Sequence, residues 1–444
     1  MRTLRAVRES PLALRLLFIN QFGVDIGFYL LIPFLASYLG HDLGLSAALV
    51  GLVLSMRNLS QQGLFVVGGS AADRFGARLV IIAGCALRTA AFALLALGNC
   101  HALLLTASVL CGLAGALFYP AVRTHVAHES GDRAAEVFAL LNVFSTSGSL
   151  VGLLLGGLLL LTDFRPWALA GAAVFTVLTV AQAVALPPRG ASGARERVLG
   201  GWRECLGNRR FLCFCAATGS LFILENQLYV LLPEGARKVS GWSGSASVLL
   251  ASGALATLLF QFRITRTLER RGGGARWVAA GIALMGLGFV PPLLICDATP
   301  PEEGTAVPGL LVMTGGSLLL YFGGMVAYPS VMELVPRFGR ARLTGTYFGL
   351  FSLLSGATAA LGNVVVGWAM DLGDRTRRPW LPWLACLLLG LASAAAVAWL
   401  HRAHALPVRP AAAVRRAEDA GARGPVRLPG QAPAPDDVPE SPPR

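Results

Sequence analysis

The chain has 444 residues, 55% of them hydrophobic and 14% charged, with a mean hydropathy of +0.63, whereas soluble proteins carry about 25% charged residues. That balance excludes an ordinary soluble fold. The net charge of +13 would point to nucleic acid in a soluble protein, but in so apolar a chain it is first tested against the gathering of Arg and Lys in cytoplasmic loops.

A membrane-crossing helix needs about 20 apolar residues, and apolar runs between breakers place spans near 12–39, 46–69, 79–98, 102–122, 136–161, 166–187, 210–233, 243–262, 277–296, 307–335, 343–370 and 380–401. The basic N-terminus runs into a full span without a small-residue cleavage site, so it reads as the first span and not as a removable signal. Arg and Lys are dense after the even-numbered spans, beginning with Arg74 and Arg78. The opposite loops hold only Arg165, Arg237, Lys238, Arg375, Arg377 and Arg378. The richer side is therefore expected in the cytoplasm, with both termini, and nucleic acid is not needed to explain the charge.

Residues 188–209, rich in Gly and Arg, read as a cytoplasmic linker between six-helix bundles at 1–187 and 210–402. Residues 403–444, rich in Pro, Ala, Arg and Gly, read as a disordered cytoplasmic tail. The eight cysteines are scattered without a ligand-spaced cluster and read as free thiols. No metal site and no cofactor is expected: His125 with His128 and His401 with His404 lack a convergent third ligand. Glu136 with Arg133 and Glu333 with Arg337 read as local ion pairs. A phosphate-binding GxxxxGK[ST], a GxSxG elbow and an HExxH pair are all missing from the sequence, so nothing here points to an enzyme.

The two halves repeat one another. Asp25, Tyr29 and Pro33 in the first span recur as Glu225, Tyr229 and Pro233 in the seventh. Tyr119-Pro120 recurs as Tyr328-Pro329, and Asp73-Arg74-Phe75-Gly76 has a looser counterpart in Glu269-Arg270-Arg271-Gly272. Matched halves argue for two pseudo-symmetric bundles around a central site that faces either side in turn.

Gly69-Ser70-Ala71-Ala72-Asp73-Arg74-Phe75-Gly76-Ala77-Arg78 fits a GxxxDRxGxR loop between spans two and three. On these residues the chain resembles the major facilitator superfamily, an all-α polytopic fold of twelve transmembrane helices. The resemblance implies that Gly69, Asp73, Arg74, Gly76 and Arg78 form a conformational gate that latches the halves in an outward-open state. Asp73 suits a helix N-terminus, and the arginines are expected to pair across the cytoplasmic seam. Gly148, Gly152, Gly156 and Gly157 line one face of the fifth span and suit close helix packing. They resemble the family's antiporter motif GPxxGG, with Leu153 in place of its proline. Over LSMRNLSQQGLFVVGGSAADRFGAR, ALRTAAF, CGLAGALFYPAVR and MDLGDRTRRPWLPW the chain resembles the MdtH-type multidrug and proton antiporters within that family. Ser108 stands where many of these have an arginine.

Charges deep in a span cost about 2.5–3.5 kcal/mol each on insertion scales and mark function or a partner. Four are deep: Asp25, Arg57, Arg88 and Glu225. Burial disfavours the charged form of a carboxylate, so Asp25 and Glu225 can take up a proton outside and release it inside, in competition with a cationic substrate. The alternative is that they are permanently paired and only fix helix register. Arg57 has Gln61 one turn on and suits either pairing with Asp25 or an anionic group. Arg88 leans to structure. Tyr29, Tyr229, Phe28, Phe118 and Tyr119 can offer aromatic faces to a lipophilic cation.

The substrate and proton set is therefore Asp25, Tyr29, Arg57, Gln61, Arg88, Glu225 and Tyr229. The expected function is proton-coupled efflux of lipophilic drugs or small molecules, cations among them, across a bacterial inner membrane by a monomer, its partners being the lipid bilayer, substrate and protons. The alternatives are a proton-coupled or facilitative uptake carrier for a small metabolite, anions among them, and, remotely, a non-transporting receptor or membrane enzyme.

Overall fold

The structure is a computed structural model. It describes residues 12–37, 39, 53, 56–57, 59–97, 101–130, 133–157, 164–186, 198–242, 244–271, 274–296 and 307–407. The helices of the first half are α1 (Leu12–Ser37), α2 (Phe65–Phe75), α3 (Ala77–Leu97), α4 (His101–Ser130), α5 (Ala134–Gly157) and α6 (Phe164–Ala185). A short helix, α7 (Val198–Gly207), lies inside the stretch read as linker. The second half comprises α8 (Arg209–Asn226), α9 (Leu231–Ser240), α10 (Ser245–Arg270), α11 (Ala275–Leu287), α12 (Val290–Ile295), α13 (Val307–Leu334), α14 (Thr344–Thr376) and α15 (Leu381–Arg402). Among the described residues ten stretches are long and apolar enough to cross a membrane, and α1 and α2 belong to the first and second spans. Residues 408–444, most of the expected tail, lie outside the described residues.

Proline accounts for the two interrupted spans of the second half. Pro233 has no N–H for the carbonyl of Tyr229, and its ring crowds that carbonyl. The seventh span accordingly leaves the helix at 227–230 and resumes at Leu231, with Leu232 bonding back to the Gln227 carbonyl at 3.0 Å. Pro291 and Pro292 likewise open α12 after the ninth span breaks at 288–289. The start of α8 is fixed by Asn208, whose side chain accepts from the Phe211 N–H at 3.1 Å.

The sequence repeat is also a packing repeat. In the first half α1 packs on α5 and α6, α3 on α4 and α6, and α2 on α4. In the second half α8 packs on α14 and α15, α11 on α13 and α15, and α10 on α13. The halves meet through α2 on α14 and α4 on α14, mirrored by α10 on α5 and α13 on α5. The result is an all-α fold of two pseudo-symmetric bundles.

The first helix begins and the last ends on one face of this bundle, the terminal face. The side-chain hydrogen bonds that join the two halves gather in that half of the molecule. Arg123 donates to Ser352 at 2.7 Å and Tyr328 at 3.1 Å, and Asn142 to Gln261 at 3.2 Å. Linker helix α7 packs over the same seam: the Trp202 indole donates to Ser70 at 2.7 Å, and Glu204 lies 3.8 Å from Arg340. Backbone contact is direct at Gly69, where an added Cβ would fall 1.9 Å from the Gly345 carbonyl oxygen. That distance excludes any side chain at position 69 unless the halves part. Oxidation of a cysteine pair at Ser70 and Thr346, whose oxygens are 3.3 Å apart, is therefore expected to form a disulfide readily, and to fail when Gly69→Leu is added. Gel mobility under non-reducing conditions checks this.

Candidate functional site

The glycines of α5 bring the first helix into place. A Cβ at Gly148 would lie 2.4 Å from the Phe22 carbonyl oxygen and 3.1 Å from the Asp25 Cβ. One at Gly152 would lie 2.6 Å from the Ile26 oxygen and 3.0 Å from the Tyr29 Cβ. These two residues thus let α1 approach closely enough to set Asp25 and Tyr29 against α5. The surroundings of Gly156 and Gly157 lie outside the described residues.

Asp25 is 3% exposed. Its carboxylate accepts from the Gln21 amide at 2.8 Å, one turn back on α1, and from the hydroxyl of Ser145 on α5. Arg88 of α3 acts on it electrostatically, but among the described residues no ion pair reaches it. Tyr29 bonds to Ser149, also on α5. A buried amide link stands beside this group, with Gln182 of α6 donating to Asn20 of α1 and to the Cys85 sulfur of α3 at 3.4 Å.

Arg88 is 1% exposed and held mainly by rings. Its guanidinium carbon lies 5.5 Å from the centroids of Phe118, Tyr119 and Phe175 and 5.6 Å from that of Phe28. It bonds to the Tyr119 hydroxyl, while its Nε and one terminal nitrogen make no hydrogen bond. A cation–π contact contributes about 2 kcal/mol when desolvated, and four converge here. The expected role of Phe28, Phe118 and Tyr119 as faces for an external cation is corrected accordingly: an internal cation already occupies them. Arg57 is half-buried, 5.3 Å from the Phe28 centroid. Gln61 turns to α4, where a Cβ on Gly115 would meet its amide carbon at 3.0 Å.

The second half answers with a different environment. Glu225, at the end of α8, is exposed, and Tyr229, in the break beyond it, is 62% exposed. The field of Glu225 reaches Tyr229 and Tyr321, and Tyr29 from the first half acts on both tyrosines. The structure therefore gathers Asp25, Tyr29, Arg57 and Arg88 in the first half, and Glu225, Tyr229 and Tyr321 across the seam. Tyr321, Ser145 and Gln21 escaped the sequence reading because serine, glutamine and tyrosine in a span carry no charge cost to flag them.

The loop after the second span is built as a cross-seam contact. Asp73 accepts from the backbone N–H groups of Gly345 and Thr346 and from the Thr346 hydroxyl, each at 2.7 Å. Those groups form the first turn of α14, where N–H groups lack helical acceptors and the dipole favours an anion. Gly76 ends α2 at φ 85°, a conformation that favours glycine. The expected pairing of arginines across the seam is corrected. Arg78 donates to the Ala183 carbonyl at the end of α6, within its own half, where a cation complements the last turn. Arg74 is exposed and lies over Phe75 at 5.5 Å. The local pairs Arg133–Glu136 at 2.9 Å and Arg337–Glu333 at 2.6 Å are both present.

A family model described as Major Facilitator Superfamily matches residues 17–363. The chain belongs to the major facilitator superfamily. It is 41% identical over 393 residues, 87% of this chain and 92% of the other, to an uncharacterized MFS-type transporter of Mycobacterium tuberculosis strain H37Rv. It is 29% identical over 383 residues to the multidrug resistance protein MdtH of Shigella dysenteriae, covering 86% and 92% of the two chains. A solved structure of the Escherichia coli fucose:proton symporter, FucP, superposes with a TM-score of 0.69 at 15% identity, over 86% of this chain and 98% of that one. The protein is thus a multi-pass membrane transporter and not an enzyme.

Because the Arg88 cage depends on a planar cation among four rings, Arg88→Ala is expected to destabilise the purified protein by about 2 kcal/mol or more. Arg88→Lys should recover only part of that loss, since a compact, strongly hydrated ammonium fits the cage less well. Thermal unfolding followed by the reactivity of buried thiols checks both.

Proposed function

We propose that this transporter exports lipophilic, cation-bearing compounds in exchange for protons, with its terminal face and both termini in the cytoplasm of a bacterial cell. The observation that carries this reading is the pair of membrane carboxylates on either side of the seam, Asp25 and Glu225, which no ion pair reaches among the described residues. Asp25 is held by neutral donors, Gln21 and Ser145, and Glu225 lies near Tyr229 and Tyr321 with Arg123 acting on it only electrostatically, outside any ion pair among the described residues. A carboxylate held by neutral groups can change its protonation without breaking an ion pair, and can exchange a proton for an organic cation. Tyr29, Tyr229 and Tyr321 supply the aromatic faces left free by the Arg88 cage. The likeness to a relative named for multidrug resistance supports the same reading.

In this cycle the bundles at 1–187 and 210–402 rock about the seam, joined by 188–209, and the Asp73 latch holds the terminal face shut while the far face admits protons. A second reading is an uptake carrier for a small anionic metabolite. It is favoured by Arg57, a half-buried cation within the second span that could meet an anionic group.

In inverted vesicles carrying an imposed proton gradient, a fluorescent lipophilic cation should accumulate and should leave when the gradient is collapsed. Asp25→Asn and Glu225→Gln are each expected to reduce accumulation by at least about fivefold, the low end of typical coupling free energies. Normal exchange by both variants would overturn the carboxylate mechanism, and uptake of anionic solutes alone would favour the second reading.

A further inference from the structure

The gathering of Arg and Lys on the cytoplasmic side accounts for the terminal face and leaves an exception on the opposite one. Three of the six basic residues in the opposite loops, Arg375, Arg377 and Arg378, fall within four positions where α14 ends and the chain turns into α15. Other cations of that face are already paired: Arg237 bonds to Glu234 at 2.9 Å, and Lys238 lies 3.7 Å from Asp374. Among the described residues no acid pairs with Arg375, Arg377 or Arg378, and all three are exposed. The exposed Asp371, one turn before Arg375, pairs with none of them, which leaves an excess of positive charge.

These cations are placed at a conformational cost. At the end of α14 the Arg378 N–H donates to the Gly373 carbonyl at 2.8 Å and the Arg377 N–H to the Asp374 carbonyl at 3.5 Å, the paired bonds of a Schellman cap. Arg377 therefore sits at φ 53°, a left-handed conformation that glycine adopts without strain. An arginine at this position gives up backbone stability and gains a cation.

The helix below the cations marks their depth. Leu361, Val364 and Trp368 are exposed along α14, and with Arg375 they follow one another at spacings of three, four and seven residues, which puts all four on one face. An apolar face exposed on a membrane-spanning helix meets hydrocarbon, and tryptophan gathers where hydrocarbon gives way to headgroups. Arg375 stands two turns beyond Trp368, about 10 Å along the axis, a rise that carries it to the level of lipid phosphates. We propose that Arg375, Arg377 and Arg378 form a headgroup site for an anionic phospholipid, its phosphate held by the arginines and an acyl chain lying along Trp368, Val364 and Leu361. The planar fork of donors on arginine matches phosphate oxygens, and the apolar stripe directly below the charges suits a lipid and is of no use to a soluble anion. The site takes none of the residues assigned to substrate, proton or gate, so it stands apart from the transport reading.

The experiment places the full-length protein in phosphatidylcholine nanodiscs doped with a small fraction of phosphatidylglycerol that carries a photoreactive group on its acyl chain, and maps the crosslinks by peptide mass spectrometry. Because the sites are resolved along the chain, lipid bound by the basic terminal face is counted separately. Labelling of α14 around Trp368 is expected to exceed that by photoreactive phosphatidylcholine, and to fall about fivefold for each arginine removed in Arg375→Gln and Arg378→Gln. Arg237→Gln, which alters a cation already paired with Glu234, should leave it unchanged. Arg377→Gly separates loss of charge from loss of fold: its labelling should fall while its thermal unfolding temperature in detergent stays at or above that of the native protein, since glycine relieves the left-handed cap. Equal labelling of this segment by the two lipids, or labelling that the arginine variants leave unchanged, would overturn the site. If inorganic phosphate or poly-glutamate abolishes the preference at matched ionic strength, the arginines serve a soluble anion and the lipid assignment is wrong.

Discussion

Charge inside a membrane-spanning bundle has to be compensated by protein, because the surrounding hydrocarbon offers neither water nor counter-ions. This chain separates the compensation of its buried cation from that of its buried acid. Arg88 is satisfied by four aromatic rings and a tyrosine hydroxyl, and Asp25 by an amide and a serine. Had the two formed a close ion pair, each would have fixed the other, and the acid would exchange a proton only at the cost of a stranded arginine. Keeping them within electrostatic range but unpaired leaves the acid free to exchange, and that is the premise of the proposed coupling.

Close helix approach makes the arrangement possible. Gly148 and Gly152 admit α1 to α5 inside the first half, and Gly69 meets Gly345 between the halves. The same seam is closed on the terminal face by the Asp73 carboxylate, which caps the first turn of α14. Such a cap is strong in a partly dry interface but is undone by a small separation, since it depends on N–H groups in one turn of one helix.

Much of this was legible in the sequence. The span pattern, the six-plus-six repeat and the glycine face of the fifth span follow from periodicity and residue type, and the Asp73 loop was reached through the resemblance of its motif to the family's. The unequal surroundings of the two matched acids were not legible. Asp25 and Glu225 occupy equivalent positions, yet one is buried against α5 and the other is exposed beside a helix break: Gly148 and Gly152 of α5 meet backbone oxygens of α1, whereas Gly362 of α14 meets the side chain of Ile223 on α8. The ring cage was hidden for another reason: Phe28, Phe118, Tyr119 and Phe175 come from three helices distant in sequence. Arg78 misled the reading, since a basic loop residue serves a helix end in its own half as readily as an acid across the seam.

The central claim is that substrate and proton compete for the same carboxylates, and the most direct test is proton release on binding. Purified protein in weakly buffered detergent solution, titrated with a lipophilic organic cation such as tetraphenylphosphonium, should acidify the medium as the cation binds. The release should shrink in Asp25→Asn and Glu225→Gln. Binding of the cation with no proton released at any pH at which the protein stays folded would contradict the account.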